Sequence, residues 1–269
     1  MSSFASRHAL LLMGAAVVLS LNTQVAAQPG YVPVLQDAPP LWQAPFGGIF
    51  PPVQGSALPV QQDPRRPHTP GRTWHIADLT NPNLLPWARE ALRKDIEEID
   101  GGKLQFTAGS SCLPTGVPNF LADGGPYLFA QTRDKVVIID EAGPVVRHVY
   151  LNVPHSPNVK PSWMGESVGR YEGDTLVIDT IGITTKLPTD RFGTPHTDKL
   201  HIVEHWRVID QGLTLRVDVE VDDPGTFYQP WKTYQVYRRT NEPLAAEICP
   251  ENNTNLFDYH MPTDSTPDF

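Results

Sequence analysis

Leu200-His201-Ile202-Val203-Glu204-His205-Trp206-Arg207-Val208-Ile209, then Asp210-Gln211-Gly212, then Leu213-Thr214-Leu215-Arg216-Val217-Asp218-Val219-Glu220-Val221-Asp222, is the stretch whose reading decides the fold. In its second half Leu213, Leu215, Val217, Val219 and Val221 alternate with polar residues, the period of a half-buried strand. Gly212 suits the left-handed position of a three-residue hairpin loop. That loop makes Ile209 oppose Leu213. Steps of two then bring Arg207 to Leu215, His205 to Val217, Val203 to Val219 and His201 to Val221. His201, His205 and Arg207 are therefore expected on the apolar face, with Glu204 on the other.

Working outward, Lys135–Asp140 and Val145–Asn152 are β-branched runs separated by the turn signal Glu141-Ala142-Gly143-Pro144. Ser167–Arg170 and Thr175–Ile181 form another hairpin, and Thr233–Arg239 follows as a last strand. Two three-residue loops fit the second hairpin. Glu172-Gly173-Asp174 pairs Ser167 with Asp179. Tyr171-Glu172-Gly173 pairs Val168 with Leu176 and Glu166 with Ile178, and is preferred for its more apolar face. One helix opens at Asn83 or Leu84, carries Pro86 in its first turn and ends at Gly101-Gly102. Leu85, Ala88, Leu92, Ile96 and Ile99 form its apolar stripe. The pattern predicts a mostly β protein, an antiparallel meander forming a barrel or sandwich, with one amphipathic helix.

Upstream the composition changes. Arg7 and His8 precede an apolar run from Ala9 to Leu21, and Val25-Ala26-Ala27 offers a cleavage site, so residues 1–27 read as a secretory signal peptide. Residues 28–73 form a Pro-rich extended arm in which Tyr31, Trp42, Phe46 and Phe50 favour docking over a free linker. Residues 74–269 are one β-rich domain. The expected location is periplasmic or secreted, with no membrane insertion after cleavage. The whole chain carries a net charge of −9, and loss of residues 1–27 removes Arg7 and no acid. So acidic a chain argues against nucleic acid as a partner. It leaves the oligomeric state open.

The sequence has two cysteines, Cys112 and Cys249, and export favours a disulfide between them over two buried thiols. Glu166 and His201 are the candidate acid and base, because ionisable groups on an apolar strand face are costly unless paired or used. Arg147 or Arg207 would bind an anionic group, and His155 and His205 complete the candidate substrate contacts. A satisfied structural network, such as Glu166 with Arg207, explains the same residues without function. His201 and His205 have the spacing of a helical zinc pair, but on a strand they stand about 13 Å apart. No metal or other cofactor is expected. Asp222-Asp223-Pro224-Gly225 reads as a strand end and turn. The chain has no nucleophile elbow, P-loop or dinucleotide fingerprint.

Trp163-Met164-Gly165-Glu166-Ser167-Val168-Gly169-Arg170-Tyr171-Glu172-Gly173-Asp174-Thr175-Leu176-Val177-Ile178-Asp179-Thr180 resembles a family of exported bacterial proteins of unassigned function. Leu200–Glu204, Val221–Pro224 and Ile248-Cys249 also fit its pattern, as do Cys112, Gly116, Pro118, Gln131, Glu141, Arg147 and His155. The similarity covers about Ser111 to Asn253. It implies that His155, Glu166, Arg170, His201 and Glu204 belong to the family pattern. His205 departs from it, since the family has Arg there. Together these readings lead to an exported protein acting on a small organic molecule by metal-independent acid–base chemistry: elimination, isomerisation or hydrolysis. The alternative is a non-catalytic, lipocalin-like ligand-binding barrel.

Overall fold

The alternating runs become strands of a single closed sheet. The computed structural model describes residues 41–44, 50–66, 76–102, 108, 112–122, 124–141 and 145–245. The strands are β1 (Leu41–Gln43), β2 (Tyr127–Gln131), β3 (Lys135–Asp140), β4 (Val145–Leu151), β5 (Glu166–Glu172), β6 (Thr175–Ile181), β7 (His201–Ile209), β8 (Thr214–Asp222) and β9 (Trp231–Arg239). They close as a barrel in chain order, with β1 pairing both β2 and β9. The mostly β barrel with one helix is thus present. It is not a pure antiparallel meander, because β4 and β5 run parallel through Val149↔Ser167, Tyr150↔Val168 and Leu151↔Gly169. A parallel pair needs a crossover, and residues 152–165 supply it.

Part of the Pro-rich arm is built into this barrel. β1 closes the sheet with Trp42 almost fully buried, and Phe50 is buried as well. Tyr31 and Phe46 of the arm lie outside the described residues, as does the segment expected to be a signal peptide. The helix α1 (Pro86–Asp100) has Pro in its first turn and ends at Gly101. Ala88, Leu92, Ile96 and Ile99 face the core as expected, whereas Leu85 precedes the helix and Leu84 is the buried leucine.

Both hairpins differ in register from the sequence reading. Between β7 and β8 the connection is four residues, Asp210–Leu213, and Ile209 pairs with Thr214. Leu213 falls in the turn, 60% exposed. Asp210 and Gln211 take positive φ values of 52° and 54° ahead of Gly212 at 91°. A one-residue shift turns every β7 side chain to the other face. Ile202, Glu204 and Trp206 therefore point into the barrel, opposite Val221, Val219 and Val217. His201, His205 and Arg207 face outward, so their expected place on the apolar side is overturned, and so is the outward place of Glu204. The physical reason is on β7 itself: Trp206 packs edge-on to Phe129 at 5.5 Å and stacks with Tyr237 at 6.1 Å, burial that the other register would forfeit.

Between β5 and β6 the connection is only Gly173-Asp174, with Glu172 opposite Thr175. Gly173, at φ 62°, takes the left-handed position of a two-residue hairpin. Neither three-residue loop forms. Ser167 and Thr180 face each other inside, and Glu166, expected among Val168, Leu176 and Ile178, instead opposes Ile181 on the outer face.

Candidate functional site

Two polar layers lie on opposite faces of the same strands. The inner one is centred on Arg147 of β4. Its guanidinium makes a two-pronged pair with Glu204 of β7, through Nη1 at 3.0 Å from Oε1 and through Nη2 to Oε2. Nη2 also donates to Thr180 Oγ1 of β6 at 2.9 Å, and Nε donates to Ser167 Oγ of β5 at 3.2 Å. The two hydroxyls are 2.9 Å apart. Both charged side chains are completely buried. Arg147 is therefore committed to Glu204 inside the barrel rather than offered to an anionic ligand, and Glu204 is explained as its counter-charge.

The outer layer is a chain of four side chains. His155, on the crossover, faces Glu166 Oε1 of β5 with Nδ1 at 3.0 Å and Asp179 Oδ1 of β6 with Nε2 at 2.9 Å. His201 of β7 places Nε2 at 2.9 Å from the same Asp179 oxygen. The Ser156 backbone N–H donates to Glu166 Oε1 at 2.7 Å, fixing the crossover to the sheet. Ionised carboxylates only accept. His201 must therefore carry its proton on Nε2 when neutral, which leaves Nδ1 as a lone pair without a partner among the described residues. His155 fills both of its bonds only as the imidazolium.

The chain is accessible without being fully solvated: side-chain exposure is 21% for His155, 22% for Glu166, 32% for Asp179 and 40% for His201. Hydrogen bonds from Ser156, opposed by partial burial, hold the Glu166 carboxyl below its ordinary range, and the bond and charge of His155 add to this. Glu166 is thus a fixed anion rather than an acid poised to give up a proton.

Of the residues singled out in the sequence, Glu166, His155 and His201 are brought together. Glu166 and His201 do share a face, but it is the outer one, and they are joined through His155 and Asp179 instead of touching. His205 and Arg207 are on the same outer face of β7, roughly 13 and 20 Å from His201 along the strand, and contribute nothing to the chain. Asp179 was missed as a site residue. Its signal was an acid set inside the apolar run Leu176–Ile181.

Comparison with protein-family models, curated proteins and solved structures finds no match.

Two more buried acids bear on the long β6–β7 connection, residues 182–200: Asp190 within it and Asp223 beside it. Asp223, after β8, anchors it by accepting hydrogen bonds from Thr197 N at 2.7 Å, Thr197 Oγ1 at 2.6 Å, Gly225 N at 2.9 Å and Thr226 Oγ1 at 2.7 Å. Burial pushes its carboxyl up, but those bonds outweigh burial and keep it below the ordinary range. Asp190 is different. Oδ1 accepts from Phe192 N at 2.9 Å and Thr194 N at 3.2 Å, while Oδ2 has no hydrogen-bond partner among the described residues. Burial, only partly offset by Thr194 and Phe192, pushes this carboxyl up to about 6. Among the described residues no group of three or more His, Cys, Asp and Glu side chains is arranged to hold a metal ion. Cys249 lies outside the described residues, so the expected bridge to Cys112 stands as a proposal.

Proposed function

We propose that this is an exported protein that acts on a small organic molecule at the outer barrel face by acid–base chemistry, with His201 as the proton-transferring group. One observation carries the reading: Asp179 orients His201 through Nε2 and leaves Nδ1 unpartnered and accessible. A carboxylate placed in this way fixes the tautomer and stabilises the imidazolium that forms on proton uptake. His155, held between Glu166 and Asp179, keeps Asp179 in place. Elimination, isomerisation and hydrolysis all need such a base, and none of them requires a metal at this position.

The alternative, a lipocalin-like binder, would hold its ligand in the barrel interior. A ligand-sized void there would leave surface exposed on the side chains around it. Ile138, Arg147, Ile178, Thr180, Ile202, Glu204 and Val217 have none. The outer chain is therefore the better-supported site.

The test is mass spectrometry of small molecules released from protein purified out of the periplasm, for the wild type, His201→Gln and Asp179→Asn. The expected result is a converted product with the wild type and unconverted compound with both variants. A wild type that carries no compound, or variants that convert it equally well, would end the proposal.

A further inference from the structure

We infer that Arg147, through its buried pair with Glu204, is the positioning residue that holds His155 in register with the outer Glu166, Asp179 and His201 from the opposite face of the same strands. The inference rests on reading that chain as the working site. Its basis is a difference between seams in the barrel. β5 and β6 are tied by seven registered pairs, Glu166↔Ile181 through Glu172↔Thr175, and β6 and β7 by six. These strands hold Glu166, Asp179 and His201 relative to one another without help. His155 is the exception. It follows β4, and β4 is joined to β5 by only three parallel pairs, beginning at Val149↔Ser167.

Arg147 lies two residues before that ladder starts, so its backbone is beyond the paired segment. Its side chain does what the short ladder does not. It bonds Ser167 on β5, Thr180 on β6 and Glu204 on β7 at once. Two of these partners are chain neighbours of outer residues: Ser167 follows Glu166, and Thr180 follows Asp179. Successive strand side chains point to opposite faces, so one rigid inner fork sets β4 against the very segments whose outer faces receive His155. Stability alone is a poor reason for such a pair. A buried ion pair is often matched or bettered by apolar residues of similar volume. Geometry at the weak seam is what apolar residues would not supply.

The experiment uses the full mature chain and the double variant Arg147→Met/Glu204→Met, which removes both charges together and leaves neither stranded. The readouts are the imidazole N–H resonances of His155 and the hydrogen exchange of the Ser156 amide, with the amides of the β5–β6 ladder as an internal control. The expected result is retention of ladder protection with loss of the His155 N–H signals and exchange at Ser156 faster by about tenfold or more. A folded double variant with both outer readouts unchanged would overturn the inference, because the pair would then be architectural only. So would absence of protected His155 N–H signals in the wild type. If the double variant does not fold, Ser167→Ala/Thr180→Val decides in the same way. That variant cuts the fork's links to β5 and β6 and keeps the ion pair, so unchanged outer signals in it overturn the inference too. None of these readouts depends on turnover. A wild type that converts no compound while the double variant loosens His155 would reject the acid–base reading and leave the positioning role standing.

Discussion

Replacing Asp190 by Asn should stabilise the protein above pH 6. The carboxyl is buried, its Oδ2 has no partner among the described residues, and its pKa is pushed from 3.8 up to about 6. An acid whose folded pKa exceeds its unfolded value binds more protons when folded. Between about pH 4 and 6 its contribution to stability therefore falls as pH rises, and above pH 6 the full penalty is present. At 1.36 kcal/mol per pKa unit, the rise amounts to about 3 kcal/mol. Asparagine keeps the oxygen that accepts from Phe192 and Thr194. Its amide group also brings donors to a region where Thr194 Oγ1 is buried with no hydrogen-bond partner of normal geometry among the described residues. The assay is urea unfolding of wild type and Asp190→Asn from pH 3.5 to 8, read as the difference in unfolding free energy. Glu166 and Asp223, whose carboxyls are held low, act in the opposite sense but occur in both proteins and cancel in the difference. The advantage of Asp190→Asn should grow by about 3 kcal/mol between pH 4 and 6 and be level on either side. A flat difference across that window, or one of opposite sign, would refute the reasoning.

Glu204→Gln should destabilise the fold by about 3–5 kcal/mol in urea titrations, because it strands the Arg147 charge in the barrel interior. A loss well under 1 kcal/mol would mean that the guanidinium finds water there. Non-reducing peptide mapping of the protein should recover Cys112 and Cys249 as one linked peptide pair, and recovery of both as free thiols would exclude the bridge.

The strands were legible because alternation is a local property. Lys135–Asp140 and Thr175–Ile181 have the bounds their patterns predict, and α1 starts at its proline and stops at its glycine. β1 and β2 were not legible. Leu41–Gln43 is too short to show a period and sits among prolines, and its strand character comes from pairing with β2 and β9. The candidate site was half legible. His155, Glu166 and His201 stood out as ionisable residues in or near strands. Asp179, which joins them, did not stand out, and His205 and Arg207 lie too far along β7 to join the chain.

By itself the sequence determined the segments that form β3 to β9, where the helix lies, and that β8 has one apolar face, because side-chain period and capping residues act within a few positions of the chain. Only the tertiary structure decided which face of β5 and β7 is the inner one. That choice depends on a loop of two residues in place of three at Gly173 and of four in place of three at Gln211, and each option is open to a short turn read alone. The deciding energy lies far away in the chain: burial of Trp206 against Phe129 and Tyr237, and the pairing of Glu204 with Arg147 across 57 residues. Because a strand has a period of two, those distant contacts also sent His201 and Glu166 outward, where His155 and Asp179 meet them.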